Sequence, residues 1–98
     1  MEILKKQDNQ IITLSLIGRL DTNTAGSLET AINELETNVE LILECEKLEY
    51  VSSAGLRVLL LIQKRVNNGI AKFTLINVIE EVKEVLDMTG FSTILNIK

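Results

Sequence analysis

Ninety-eight residues suffice for one compact domain and not for two, and a hydrophobic share of 46% with no proline and three aromatics excludes disorder in favour of an aliphatic core. The net charge of −4, with a pI near 4.8 and lysines and arginines scattered singly or in pairs, argues against a nucleic-acid partner and leaves a protein or a small molecule. The lone cysteine, Cys45, excludes an internal disulfide, and the lack of histidine removes the usual zinc ligand and general base.

The N-terminal stretch MEILKKQDNQ has no apolar core of the kind a signal peptide needs. The longest apolar run, Val58 to Ile62, is far shorter than the ~20 residues of a membrane span. A cytoplasmic domain without membrane contact is the expectation. Ile3 to Lys6 reads as a short strand that turns at Asp8-Asn9 into a second, Gln10 to Ile17, where Ile12, Leu14 and Leu16 alternate with Thr13 and Ser15. Gly18 is expected to end it. Asp21-Thr22-Asn23-Thr24 offers several side-chain oxygens for a helix start, and Leu28, Ala31, Ile32 and Leu35 follow at helical spacing, predicting a helix from about Asn23 to Glu36.

Val39, Leu41 and Leu43 alternate with Glu40 and Glu44, predicting a third strand that places Cys45 in a buried setting and not as a reactive thiol. Tyr50 to Ser53 reads as a loop into a second helix that runs to about Asn67, with apolar residues around most of its circumference. Asn67-Asn68-Gly69 supplies its stop. Ile70 to Val78 is a further strand, Ile79, Val82, Val85 and Leu86 mark a third helix closed by Gly90, and Ile94 to Ile97 reads as a short last strand. Alternating strands and helices predict a single α/β domain over 1–98, with a mostly parallel sheet, an antiparallel N-terminal edge and three to four helices.

Catalytic readings fail on composition. There is no histidine for a serine nucleophile, no Ser-x-x-Lys pattern and no glycine-rich phosphate loop. The pairs Glu44 and Glu46, and Glu80 and Glu81, are explained by strand alternation and by helix-start preference. No metal or cofactor is called for. The segment Tyr50-Val51-Ser52-Ser53-Ala54-Gly55-Leu56-Arg57 differs, because two serines stand where a helix begins and small residues follow. Backbone N–H groups and the helix dipole favour an anion or a phosphoserine there. Ser52 or Ser53 could also simply cap the helix, with Ala54 and Gly55 allowing close packing, and a capping serine can still be a phosphosite. Leu56 and Leu60 belong to the core, whereas Arg57 points away from them as a candidate contact.

The stretch from Tyr50 to Leu60 resembles the signature of STAS domains, in particular bacterial anti-sigma factor antagonists (anti-anti-sigma factors). Gly18-Arg19-Leu20-Asp21 is similar to that family's second short motif, and the resemblance spans essentially the whole chain. It implies a non-enzymatic partner switch. The unphosphorylated domain binds an anti-sigma factor that is also an ATPase-type serine kinase, phosphorylation dissociates the pair, and a metal-dependent serine phosphatase restores the active form. Ser53, directly before Ala54-Gly55-Leu56, is the implied phosphoacceptor, with Ser52 as the alternative. Other members carry Asp-Ser-Ser-Gly-Leu, so this chain departs from them in having Ser52 where they have aspartate and Ala54 where they use serine. The implied partner surface comprises Asp21, Thr22, Ser52, Ser53, Ala54, Gly55 and Arg57. A monomer is expected, since a helix packed between sheet and neighbours accounts for the apolar second helix.

Overall fold

A computed structural model describes residues Met1–Lys98. Strand β1 (Glu2–Asp8) turns through Asn9, which takes the left-handed conformation at φ 56°, into β2 (Ile11–Leu20). The chain continues as α1 (Ala25–Asn33), β3 (Val39–Glu44), β4 (Leu48–Val51), α2 (Ser53–Lys64), β5 (Ile70–Ile76) and α3 (Glu80–Met88), and closes with a 3₁₀ turn at Phe91–Thr93. β1 and β2 pair antiparallel, with Ile3 opposite Leu16 and Gln7 opposite Ile12. All other ladders are parallel.

β2 is the organising strand because it serves two partners on one side. Its first half pairs with β3, Ile12 beside Leu41 and Leu14 beside Leu43, while its last residues pair with β4, Leu20 beside Val51. β5 flanks β3, with Leu41 beside Phe73. The sheet order is therefore β1-β2-β3-β5, with β4 against the far end of β2.

Alternation decides which side is covered. Ile12, Leu14 and Leu16 of β2 and Val39, Leu41 and Leu43 of β3 are fully buried. They share one core with Leu28 and Ile32 of α1, Leu56, Leu59 and Ile62 of α2, and Val82 and Leu86 of α3. The opposite rows, Thr13, Ser15 and Ile17 on β2 with Glu40, Ile42 and Glu44 on β3, are only half-buried. Each fully buried Leu or Ile contributes about 1.5–3 kcal/mol relative to exposure, so this single inward face supplies most of the driving force. No helix is long and apolar enough to cross a membrane.

The fold class matches the sequence expectation, with three α-helices, but several elements differ. β2 does not stop at Gly18. That residue adopts φ +110° and its N–H donates to Lys47 O at 2.9 Å, so pairing resumes beyond it. The segment read as a loop before α2, Tyr50 to Ser53, begins inside a strand, because β4 runs from Leu48 to Val51. One step along β2, from Gly18 to Arg19, spans two along β4, from Leu48 to Tyr50. This bulge puts Leu48 and Val51 inward, three residues apart, and leaves Glu49 and Tyr50 both exposed. Period-two reading cannot see such a strand.

The expected last strand at Ile94–Ile97 is absent. After the 3₁₀ turn the chain turns and bends through Ile94 and Leu95, and only an isolated bridge joins Ile97 to Leu75. Leu95 is drawn into the core there. The helices are also shorter than their apolar spacing suggests: α1 spans Ala25–Asn33 and α2 ends at Lys64. Asn67 and Gly69, both at positive φ, carry the turn into β5, and Gly90 at φ +81° closes α3.

Candidate functional site

The two short motifs are strand endings, and the parallel register brings them together. Leu20 pairs with Val51, so Asp21 and Ser52 follow side by side at the carboxyl edge of the sheet. Crevices at the carboxyl ends of parallel strands are where α/β sheets bind their ligands and partners. The Ser52 N–H donates to Leu20 O at 2.9 Å, tying the serine segment to the end of β2. Gly55 then lets α2 close onto it. A Cβ at Gly55 would meet Leu20 Cγ and Leu20 O at 2.7 Å and Val51 Cγ1 at 3.0 Å, so any side chain there would push helix and strand apart.

The two serines have different jobs. Ser52 is the N-cap of α2, extended at φ −92° and ψ 177°, half-buried, and its Oγ accepts from the Gly55 N–H at 3.4 Å. Ser53 is the first helical residue and is exposed, with its hydroxyl free of any hydrogen bond within the chain. The first turn of α2 carries no acidic side chain, so its unpaired N–H groups face no carboxylate of their own helix. Arg57 is exposed four residues beyond Ser53, on the same face of the helix. Ala54 is half-buried and Leu56 belongs to the core, with Leu60 half-buried beside it.

Asp21 does not cap α1 directly. The residue preceding α1 is Thr24, and Asp21 instead organises the turn ahead of it. Its Oδ1 accepts from the Asn23 N–H at 3.0 Å, and its backbone carbonyl accepts from the Ala25 N–H at 2.8 Å. The Thr24 hydroxyl donates to Arg19 O at 2.7 Å and accepts from the Asp21 N–H at 2.9 Å. Asp21 Oδ2 lies 3.7 Å from Arg19 Nε. Thr22 stands exposed at the tip of this turn. The structure thus assembles Asp21, Thr22, Ser52, Ser53, Ala54 and Gly55 at one edge, with Arg57 one turn along α2.

Sequence reasoning missed Arg19 and Tyr50 as site neighbours. Tyr50 is 39% exposed, and the Arg19 guanidinium carbon lies 4.2 Å from its ring centroid. Only the bulged register makes them partners, and no local pattern signals that register. Cys45, just after β3, is buried as expected. Burial first, and the neighbouring Glu44 charge second, push its thiol up to about 12. No group of His, Cys, Asp or Glu side chains is arranged to hold a metal ion.

The STAS domain family profile matches residues 2–98. The chain belongs to the STAS domain family. A Bordetella bronchiseptica relative, BtrV, which carries the name of an anti-sigma factor antagonist, is 32% identical over 96 residues, covering 93% of this chain and 79% of that protein. The STAS fold recurs in the Thermotoga maritima protein TM1081 at a TM-score of 0.86 with 22% identity, over 97% of this chain and 84% of the other. It recurs also in SpoIIAA of Bacillus, solved in two states. The unphosphorylated form superposes at a TM-score of 0.77 with 16% identity, over 99% of this chain and 88% of the other. The phosphorylated form gives 0.68 and 15%, over 99% and 91%. Within this STAS domain the serine-bearing start of α2 and the turn after β2 are therefore adjoining parts of one surface.

Proposed function

We propose that this STAS domain is an anti-sigma factor antagonist working as a phosphorylation-controlled partner switch, with Ser53 as the phosphoacceptor. The observation that carries the reading is the division of labour at the helix start: Ser52 is committed to capping, while Ser53 is exposed, uncommitted and beside the Asp21 turn. The name of BtrV and the existence of SpoIIAA in phosphorylated and unphosphorylated forms support it.

In the unphosphorylated state, Asp21, Thr22, Ser53, Ala54 and Arg57 form the docking edge for an anti-sigma factor that is also an ATPase-type serine kinase, with Ser52 and Gly55 supporting it from beneath. The kinase transfers the γ-phosphoryl group of ATP to Ser53 Oγ. An O–P bond forms at the serine, the bond to the β-phosphate oxygen breaks, ADP leaves, and the hydroxyl proton passes to the kinase. The domain contributes position only, acting as a cytoplasmic monomer without cofactor or catalytic group. The added charge of about −1.5 to −2 lies next to Asp21, and a dianion in a packed interface carries a desolvation cost as well as repulsion. Docking is lost until a serine phosphatase removes the group.

Phosphopeptide mapping after incubation with ATP and source-organism lysate tests the assignment on the wild type, Ser52→Ala and Ser53→Ala. Phosphate on Ser53 in the wild type and in Ser52→Ala, with none in Ser53→Ala, is the expected result. Phosphate on Ser52, or on neither serine, contradicts it and favours a constitutive scaffold.

A further inference from the structure

The turn from α2 into β5 combines a fixed frame with one free nitrogen. The Asn68 N–H donates to Arg65 O at 2.9 Å, the Ile70 N–H donates to the same carbonyl at 3.0 Å, and the Asn67 N–H donates to Ile70 O at 2.8 Å. The Asn38 N–H donates to Gly69 O at 2.7 Å, which ties the turn to the entry of β3. Within this frame the Gly69 N–H donates to no acceptor of the chain, and the Asn68 side-chain amide makes no hydrogen bond. Asn68 is exposed. Gly69 stands at φ +114° with open space where a Cβ would lie, so no side chain crowds its nitrogen. Of the eight asparagines in the chain, Asn68 alone precedes a glycine. Asn23, Asn38, Asn77 and Asn96 precede β-branched residues, whose bulk hinders attack by the backbone nitrogen that follows.

We infer that Asn68 is a site of spontaneous deamidation, in which the folded turn leaves the Gly69 nitrogen free to attack the Asn68 side chain. Hydroxide removes the Gly69 amide proton, and the nitrogen attacks Asn68 Cγ. A bond forms between them and the bond from Cγ to the side-chain nitrogen breaks. Ammonia leaves with a proton taken from water, which regenerates hydroxide. Water then opens the resulting cyclic imide. Cleavage at Cγ gives aspartate, and cleavage at the main-chain carbonyl of residue 68 gives isoaspartate, with the chain continuing through Cβ and Cγ. Either product adds one negative charge to a chain that starts at −4. Asn68 lines a groove of about 310 Å³ between α1 and α2, where Lys64 and Arg65 supply cations and Glu29 the one acidic side chain. The new carboxylate therefore arrives in a setting with more cations than anions. Isoaspartate also lengthens the main chain inside the hydrogen-bonded frame, so the bonds from the Asn38 and Ile70 N–H groups loosen. The turn lies where β3 and β5 begin, at the opposite end of the sheet from Ser52. The docking edge is thus untouched, and the inference stands independently of the role of Ser53.

The test incubates the full chain at neutral and at alkaline pH and follows every asparagine by peptide mapping, with fragmentation that separates aspartate from isoaspartate. Asn68→Gln and a urea-unfolded sample run alongside, and amide spectra verify the fold. The peptide holding Asn68 is expected to gain about one dalton, faster at alkaline pH. Its rate should exceed that of any other asparagine by about tenfold or more. Both products should form, Asn68→Gln should show neither, and in oxygen-labelled water the gained oxygen should carry the label. In the isoaspartate form, hydrogen exchange at the Asn38 and Ile70 amides should quicken while the Ser53 amide keeps the parent rate. An intact Asn68 in the folded chain overturns the inference, whether another asparagine reacts instead or Asn68 itself reacts only in urea.

Discussion

Ser52 and Ser53 are chemically identical neighbours that the fold separates by one hydrogen bond. Ser52 Oγ satisfies the Gly55 N–H, one of the otherwise unpaired donors at the start of α2. Ser52→Ala should therefore lower stability by about 0.5–1 kcal/mol, whereas Ser53→Ala should be nearly neutral, because Ser53 is exposed and its hydroxyl makes no hydrogen bond within the chain. Paired thermal melts of the two variants check this, and equal losses would show that Ser53 also holds the helix start. Cys45 makes a second residue-level case. Its folded-state thiol is raised to about 12 from the ordinary 9.0. The stability this group contributes is complete below the unfolded value and is lost as pH rises from about 9 toward 12, since the unfolded thiol ionises first. Denaturant melts across that window should show a steeper alkaline loss for the wild type than for Cys45→Ala. Thiol reagents should label Cys45 only on unfolding, and rapid labelling of the native protein would contradict the burial argument.

Between elements, the close approach of α2 to β2 is set by Gly55. Two effects compete in Gly55→Ala. Alanine gains up to about 1 kcal/mol in helix propensity, but its Cβ would sit 2.7 Å from Leu20 O. That carbonyl is held by the Ser52 N–H and cannot retreat. Overpacking costs about 1–3 kcal/mol, so net destabilisation is expected, together with weaker partner docking as Asp21 and Ser53 move apart. Gly26 in α1 is the internal control. Nothing lies within 4 Å of its would-be Cβ, so Gly26→Ala should stabilise by up to about 1 kcal/mol. Chemical denaturation of both variants distinguishes packing from propensity.

The same elements show what could be read from sequence. The alternation in β2 and β3 and the apolar spacing in the helices carried the α/β order, because each inward face follows its own period. The closeness of Gly55 to the sheet was legible from its small size at a helix start, as was the joint placement of Ser53 and Asp21 through the family resemblance. β4 was not legible, because its bulge replaces period two by a gap of three between Leu48 and Val51. Nor was the Arg19–Tyr50 pair, which exists only through that cross-strand register. The segment Ile94–Ile97 has strand-like composition, but with Leu95 plugging the core it follows the 3₁₀ turn as a bend with one bridge.

Across the whole molecule, the helices and inward sheet rows share one core, and the two signature motifs meet at one carboxyl edge of the sheet. Structural support thus lies beneath the edge and the exposed chemistry lies on it. A phosphate on Ser53 changes local charge without touching the core, so the phosphorylated domain should remain folded with the same amide dispersion. The measurement that tests the central claim most directly is partner capture from source-organism lysate with three full-length baits: wild type, Ser53→Ala, and the chain bearing phosphoserine at position 53. Wild type and Ser53→Ala should recover an ATP-binding serine kinase of the anti-sigma type, and the phosphoserine bait should not. Equal recovery of that partner by all three would contradict phosphorylation-controlled docking at this edge.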